Sequence, residues 1–284
     1  MNPPACDWQA DRCSPDLIVI PARYGSTRLA GKPLLTLAGR TLLSRVVANA
    51  ARAADLAQAC ALVVATDDER IADHAGALGV RAILTDPALT SGSARAHAAA
   101  LVLAAEGLAS ERIINLQGDA PFIPPTIIAA LITALRESRA AVATPVYRLD
   151  WERLDRLRAH KQAAPFSGTT CVRDANGRAL WFSKTIIPAI RGEASLRCQP
   201  FSPVWQHLGL YGYSRAALEW FVATPEGEYE TLEGLEQLRF LEHGWPIATV
   251  PVAPPEHLVS GIDTPEDLVV AEAAIARLGD PFPA

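Results

Sequence analysis

The sequence predicts an α/β fold of Rossmann-like type with a mainly parallel sheet, in a single domain over residues 16–284. Two observations lead there. Through the first half, short apolar runs alternate with helix-period segments, the pattern of strands and crossover helices. Half of the 284 residues are hydrophobic and a fifth are charged, enough to fill a sizeable core.

The elements follow in order. Leu17–Pro21 reads as a buried strand and Leu42–Leu56 as a helix. Ala61–Thr66 is a second strand, with Asp67 placed to cap the next helix. Arg81–Leu84 is a short strand, Ser93–Glu106 an alanine-rich helix and Arg112–Leu116 a strand. Pro124 and Pro125 open a helix to about Ser138, and Ala141–Val146 closes the series. A β-rich excursion is expected over roughly 150–206. In it, Thr169–Arg173 and Arg178–Phe182 flank Asn176-Gly177, a strong hairpin signal, and the proline-containing stretch Phe201–Gln206 reads as a linker. Beyond it come a strand at His207–Tyr213, helices at Arg215–Ala223 and Tyr229–Leu241, a strand at Ile247–Val252 and a helix at Thr264–Leu278.

Composition excludes several classes. Twenty-six basic against 31 acidic residues give −5, with no basic footprint for nucleic acid and no like-charge run for a membrane surface. Five widely and irregularly spaced cysteines fit neither a zinc site nor a disulfide framework, so a cytoplasmic protein is expected. Residues 1–15, polar and proline-bearing, read as a disordered leader.

The first strand runs into Ala22-Arg-Tyr-Gly-Ser-Thr-Arg-Leu-Ala-Gly-Lys-Pro33. Its glycines admit a close backbone approach, and Arg23, Arg28 and Lys32 gather three cations within ten residues. Such a loop suits a triphosphate, or is a solvated surface loop. It is not a Walker A loop, because five residues separate Gly25 from Gly31 and Pro33 stands where a metal-binding Ser or Thr belongs.

The segment Arg23-x-x-Ser-Thr-Arg-Leu-x-Gly-Lys-Pro-Leu34 resembles the nucleotide loop of the CMP-Kdo synthetases, the 3-deoxy-manno-octulosonate cytidylyltransferases. Six further blocks resemble that family in its order: Val64-Ala-Thr-Asp-Asp68, Asn115-Leu-Gln-Gly-Asp119, Phe182-Ser-Lys184, His207–Tyr213, Leu235-Glu-Gln-Leu-Arg239 and Gly261-Ile-Asp-Thr-Pro-Glu-Asp-Leu268. The resemblance implies a Mg²⁺-dependent nucleotidyltransferase that moves CMP from CTP to a small acidic acceptor, and a homodimer formed through the excursion. Arg23, Lys32, Asp119 and Asp263 would be catalytic, with Asp119 and Asp263 holding the metal. Ala22, Arg23, Gly25, Ser26, Arg28, Lys32, Thr66, Asp67, Ser91 and Gly92 would bind the nucleotide. Gln117, Lys184, His207, Tyr211, Glu236 and Gln237 would surround the acceptor. Without the resemblance, Asp119 is a turn residue, Asp263 a helix cap, His207 a satisfied core histidine and Glu236 part of a solvated helix face.

Three departures bear on the acceptor. The family's His-Gln-Ser-Gly-Thr-acid-Arg block reads Leu89-Thr-Ser-Gly-Ser-Ala-Arg95, its Gly-Asp-Glu-Pro reads Gly118-Asp-Ala-Pro121, and the lysine before the hairpin is Thr170. A Kdo-like sugar acid is therefore the first expectation and a small phosphonate such as phosphonoformate the alternative. A non-catalytic nucleotide-binding relative is a third reading. A glycosyltransferase would usually carry Asp-x-Asp, which the chain lacks.

Overall fold

The computed structural model describes residues 16–25, 29–58, 61–138, 140–256, 261–262 and 264–281. The leader expected at 1–15 and the site residues Ser26, Arg28 and Asp263 lie outside them. The apolar run Asp16–Ala22 forms β1, buried along its whole length because helices cover both its faces. Parallel to it on one side lies β4 (Ala61–Thr66), followed by β5 (Arg81–Leu84), and on the other side lies β6 (Arg112–Leu116). This half matches the expected strands almost residue for residue.

Period 2 divides β1 between two cores. Ile18 and Ile20 face α1 (Leu42–Ala57) and α4 (Pro125–Ser138), while Leu17 and Val19 face α3 (Gly92–Ala105) and α7 (Arg215–Ala223). α2 (Glu69–Ala77) crosses between β4 and β5 and packs Ile71 and Ala75 on the α1 side. Its N-cap is Asp68, whose side chain accepts from Arg70 N at 2.9 Å. The cap thus falls one residue beyond Asp67, because Asp67 is engaged elsewhere.

The second half is antiparallel. β6 is followed across the sheet by β11 (Leu210–Ser214), β7 (Val142–Asp150), β10 (Phe201–His207), β8 (Thr170–Arg173) and β9 (Ala179–Ser183), and β12 (Ile247–Pro251) adds in parallel to β7. The stretch 201–206, expected as a linker, is therefore a sheet strand. Its partner β7 supplies the ladder that its sequence alone does not announce. The expected strand His207–Tyr213 is broken at Leu208-Gly209. His207 pairs with Val146 and Gly212 with Ala143, so five residues advance on one strand against three on the other. That bulge re-aims the side chains on either side of it.

The excursion also holds two helices absent from the expectation, α5 (Trp151–Ala163) and the short α6 (Glu193–Leu196). α5 starts on the Asp150 side chain, which accepts from Arg153 N at 2.7 Å. It buries only Trp151, Leu154 and Leu157, so its apolar stripe is too thin to stand out. The helix expected over Tyr229–Leu241 is two, α8 (Glu228–Glu233) and α9 (Gln237–Glu242), parted at Gly234 with φ +62°. The last helix, α10 (Pro265–Leu278), is capped by Thr264, not Asp263: Thr264 accepts from Asp267 N at 3.2 Å, and Asp267 accepts from Thr264 N at 2.8 Å. It packs Ala271 against Leu37 of the small hairpin β2–β3 (Thr36–Leu37, Arg40–Thr41) and against Ile262. No described helix is long and apolar enough to cross a membrane.

Candidate active site

The carboxyl ends of β1 and β6 and the N-terminus of α3 enclose a cleft of about 840 Å³, counting the space open to solvent. Its walls come from Pro21–Arg23, Lys32–Pro33, Leu89–Gly92, Arg95 and Gln117–Asp119. Two glycines let these segments meet. A Cβ on Gly118 would lie 2.8 Å from the Pro21 carbonyl oxygen, and one on Gly92 would lie 2.8 Å from the Gln117 amide nitrogen. The crossing of β6 over the exit of β1 therefore requires glycine at 118.

Lys32 enters through a 3-10 turn (Lys32–Leu34) that begins at Gly31, whose φ is +64°. Its ammonium donates to Asp119 Oδ2 at 2.6 Å. Arg23, at the mouth of the cleft, is exposed. At the opposite wall Ser91 caps α3 by accepting from Ala94 N at 3.0 Å. The N-terminal amides of a 14-residue helix thus face the same space as the cations.

Asp67 and Thr66 stand behind the wall. Asp67 Oδ1 accepts from Tyr24 N at 3.1 Å and Oδ2 from Arg95 at 3.2 Å, tying the phosphate loop to α3. Thr66 accepts from Asp68 N at 3.2 Å, and its carbonyl receives both Thr85 N and the Thr85 hydroxyl. Sequence reasoning missed Arg95. It is buried, lines the cleft, and also donates to the Thr85 hydroxyl at 2.5 Å and the Leu89 carbonyl at 3.1 Å. The signal was its place at the end of the Leu89–Arg95 block.

Five of the six expected acceptor residues fall into two groups of contacts, Gln117 with Glu236 and Tyr211 with Gln237 and His207. Gln117 donates to Asn115 Oδ1 at 3.3 Å, Asn115 to the Ser93 hydroxyl at 3.3 Å, and Ser93 to Glu236 Oε2 at 2.7 Å. Burial pushes the Glu236 carboxyl above its ordinary range, while the Ser93 hydrogen bond opposes that. Tyr211 donates to Gln237 Oε1 at 2.8 Å, and its ring lies 5.4 Å from that of His207. The Gln237 amide nitrogen is buried and finds no hydrogen-bond partner among the described residues.

His207 pairs through Nε2 with the Thr144 hydroxyl at 2.8 Å. That hydroxyl has one proton and lies 2.8 Å from the Leu210 carbonyl. With the proton given to Leu210, Nε2–H is the donor to Thr144 and Nδ1 is left as an acceptor. Burial first, and the Lys184 charge second, depress His207 to about 3, so it is neutral near pH 7. Lys184 follows β9, and its backbone N–H donates to Glu233 Oε2 at 2.7 Å.

No cluster of three or more His, Cys, Asp or Glu suited to a metal occurs among the described residues. The backbone does bring the stretch before residue 263 to Asp119, since Ile262 N donates to the Asp119 carbonyl at 3.1 Å.

Similarity to known proteins agrees with this geometry. The cytidylyltransferase family profile matches residues 17–249. The chain is 42% identical to the 3-deoxy-manno-octulosonate cytidylyltransferase of Maricaulis maris, over 93% of this chain and 98% of that one. It is 41% identical to the enzyme of the same name from Anaeromyxobacter sp. (strain Fw109-5), over 91% and 96%. Among solved structures it resembles CMP:2-keto-3-deoxy-manno-octonic acid synthetase complexed with CTP, with a TM-score of 0.75 and 34% identity over 93% of this chain and 99% of that one. A nucleotidyltransferase fold, a cationic cleft at the switch of its sheet and relatives matched end to end leave one assignment: the chain belongs to the cytidylyltransferase family.

Proposed function

We propose that this enzyme transfers CMP from CTP to a hydroxyl of a 3-deoxy-2-keto sugar acid of the Kdo type, releasing pyrophosphate. The observation that carries the proposal is the continuity of the two ends. Gln117 lines the cationic cleft with Lys32 and Asp119 and is joined by hydrogen bonds through Asn115 and Ser93 to Glu236, whose neighbour Gln237 contacts Tyr211 and, through it, His207. Arg23, Lys32 and the α3 amides hold the triphosphate. The acceptor oxygen attacks the α-phosphorus, the bond to the β-phosphate oxygen breaks, pyrophosphate leaves with the electron pair, and the acceptor proton passes to solvent.

The donor set fits Mg²⁺, a hard ion that takes carboxylate, phosphate and water oxygens. Asp119 and Asp263 would hold it, Asp119 exchanging part of its contact with Lys32 for the ion. When bound, the ion neutralises phosphate charge and acidifies the acceptor hydroxyl. The residues' own work is positioning: Lys32 fixes Asp119, and Arg95 with Asp67 fixes the loop that carries Arg23.

Four buried or half-buried hydrogen-bonding side chains suit an acceptor with many hydroxyls better than a small phosphonate. The test supplies CTP and Mg²⁺ with each acceptor in turn and measures pyrophosphate. A kcat/KM favouring phosphonoformate by a hundredfold, about 2.7 kcal/mol of transition-state binding, would reverse the assignment. No release with any acid would return the chain to a nucleotide binder. The same reading includes a cytoplasmic setting, supported by the free thiols Cys171 and Cys198, and a homodimer through 150–206, where Leu180 and Phe201 are exposed.

A further inference from the structure

The acceptor end holds a second cation that no motif marks. Lys161, in the last turn of α5, sends its ammonium into a cage of four carbonyl oxygens: Ser167 at 2.5 Å, Lys184 at 2.5 Å, Gly168 at 2.9 Å and Pro165 at 3.3 Å. An exposed lysine ordinarily keeps its head in water. Holding this one against peptide oxygens costs rotamer freedom, which the structure spends at the segment that follows β9.

The consequence falls on Lys184. Its own N–H donates to Glu233 Oε2 at 2.7 Å and its carbonyl accepts from Lys161, so charged side chains grip the peptide groups on both sides of its Cα. The next residues are held too. The buried Thr170 hydroxyl donates to the Thr185 carbonyl at 2.8 Å and accepts from Ile187 N at 3.0 Å. A threonine at 170 therefore fixes this segment but brings it no charge. The Lys161 ammonium reaches the Lys184 carbonyl, and the two lysines oppose each other's charge, with Glu233 beside them as a carboxylate among the described residues. Among the described residues these two ammonium groups and the Glu233 carboxylate make the corner a place where an incoming carboxylate meets positive charge.

We propose that Lys161 is a positioning residue for acceptor binding: it fixes the backbone that presents Lys184 and adds the second positive charge with which this corner attracts the acceptor's carboxylate. The inference rests on the proposed function, in that Lys184 meets an acidic acceptor.

The experiment compares Lys161→Gln, Lys161→Arg and Lys184→Met with the full-length parent, by KM for the sugar acid and for CTP separately. Gln keeps donors for the cage and loses the charge; Arg keeps the charge. The expected result is a sugar-acid KM raised about tenfold or more in Lys161→Gln, a CTP KM within twofold of the parent, and partial recovery in Lys161→Arg. In the double variant Lys161→Gln/Lys184→Met the two effects should be less than multiplicative, since both act on one carboxylate. A raised sugar-acid KM in Lys184→Met with an unchanged one in Lys161→Gln overturns the role of Lys161 alone. Unchanged values in both variants overturn it together with the acceptor assignment. An equal rise in both KM values in Lys161→Gln, with a lowered melting temperature, shows a merely structural lysine and overturns it as well.

Discussion

At Asp119 the carboxylate is one-third exposed and already grips Lys32, so it can be changed without opening the core. A partly exposed pair of this kind contributes up to about 1 kcal/mol to stability. On the proposed reading its contribution to catalysis is larger, because charge at the reacting phosphate is stabilised chiefly in the transition state. Asp119→Asn is expected to lower kcat by about 10²–10³ with little change in melting temperature. Near-normal pyrophosphate release from that variant would remove Asp119 from the metal site. Lys32→Ala should raise the KM for CTP and lower kcat together if, as proposed, its charge meets the triphosphate before and during reaction. His207 gives a pH signature. It stays neutral in the folded protein down to about 3, whereas the unfolded chain takes up its proton near the ordinary value. The unfolded state therefore binds more protons between those limits. Stability contributed by the neutral histidine is full above about 6.5 and is lost as pH falls toward 3. Melting curves of His207→Gln should show a shallower pH slope than the parent across that window. Of these residues, Lys32 and Asp119 were legible in motifs, while the neutrality of His207 was not, since it arises from burial and from the Lys184 charge.

Elements were legible where one segment decides its own fate. The strands β1, β4 and β6 carry mostly apolar runs because both of their faces are covered, and a purely local reading finds them. β10 was not legible, since its place depends on β7, over 50 residues away in the chain. The bulge after His207 was not legible either, because it exists only in the pairing of two strands. The gap between α8 and α9 is different: Gly234 was visible as a glycine, but an isolated glycine inside a helical pattern does not by itself end a helix. What holds those two helices together is also non-local. Arg239 donates to both oxygens of buried Glu230, each at 2.6 Å, and to the Phe221 and Thr224 carbonyls. Removing one partner strands a buried charge. Arg239→Met is thus expected to cost about 3–5 kcal/mol, and Glu230→Met added to it should restore much of the loss. Equilibrium urea unfolding of the single and double variants checks this, with a double variant no better than the single as the contrary outcome.

Across the whole molecule, the sheet divides the labour. Its parallel half supplies the cleft with Arg23, Lys32, Ser91 and Asp119, and its antiparallel half with α9 supplies Lys184, His207, Tyr211, Glu236 and Gln237. The two halves meet at β6 and β11, paired through Leu210–Leu116 and Tyr211–Asn115, so the proposed acceptor cluster is registered to the proposed nucleotide cleft by main-chain hydrogen bonds. That division gives a prediction at Gln237. Its oxygen is taken by Tyr211, while its buried nitrogen has no partner among the described residues. A buried donor without a partner is costly in the folded protein, so a group of similar volume that lacks it relieves that cost while losing one tyrosine hydrogen bond. The two effects oppose each other, and Gln237→Leu should change stability by less than about 1 kcal/mol. If the nitrogen serves an acceptor hydroxyl, the same variant should lower kcat/KM for the sugar acid about tenfold to a hundredfold, and leave the KM for CTP unchanged, because the proposed nucleotide cleft lies in the other half. It should also narrow the discrimination between the sugar acid and an analogue lacking that hydroxyl. A variant equally impaired toward CTP and the acid would mean that the halves do not divide the substrates in this way.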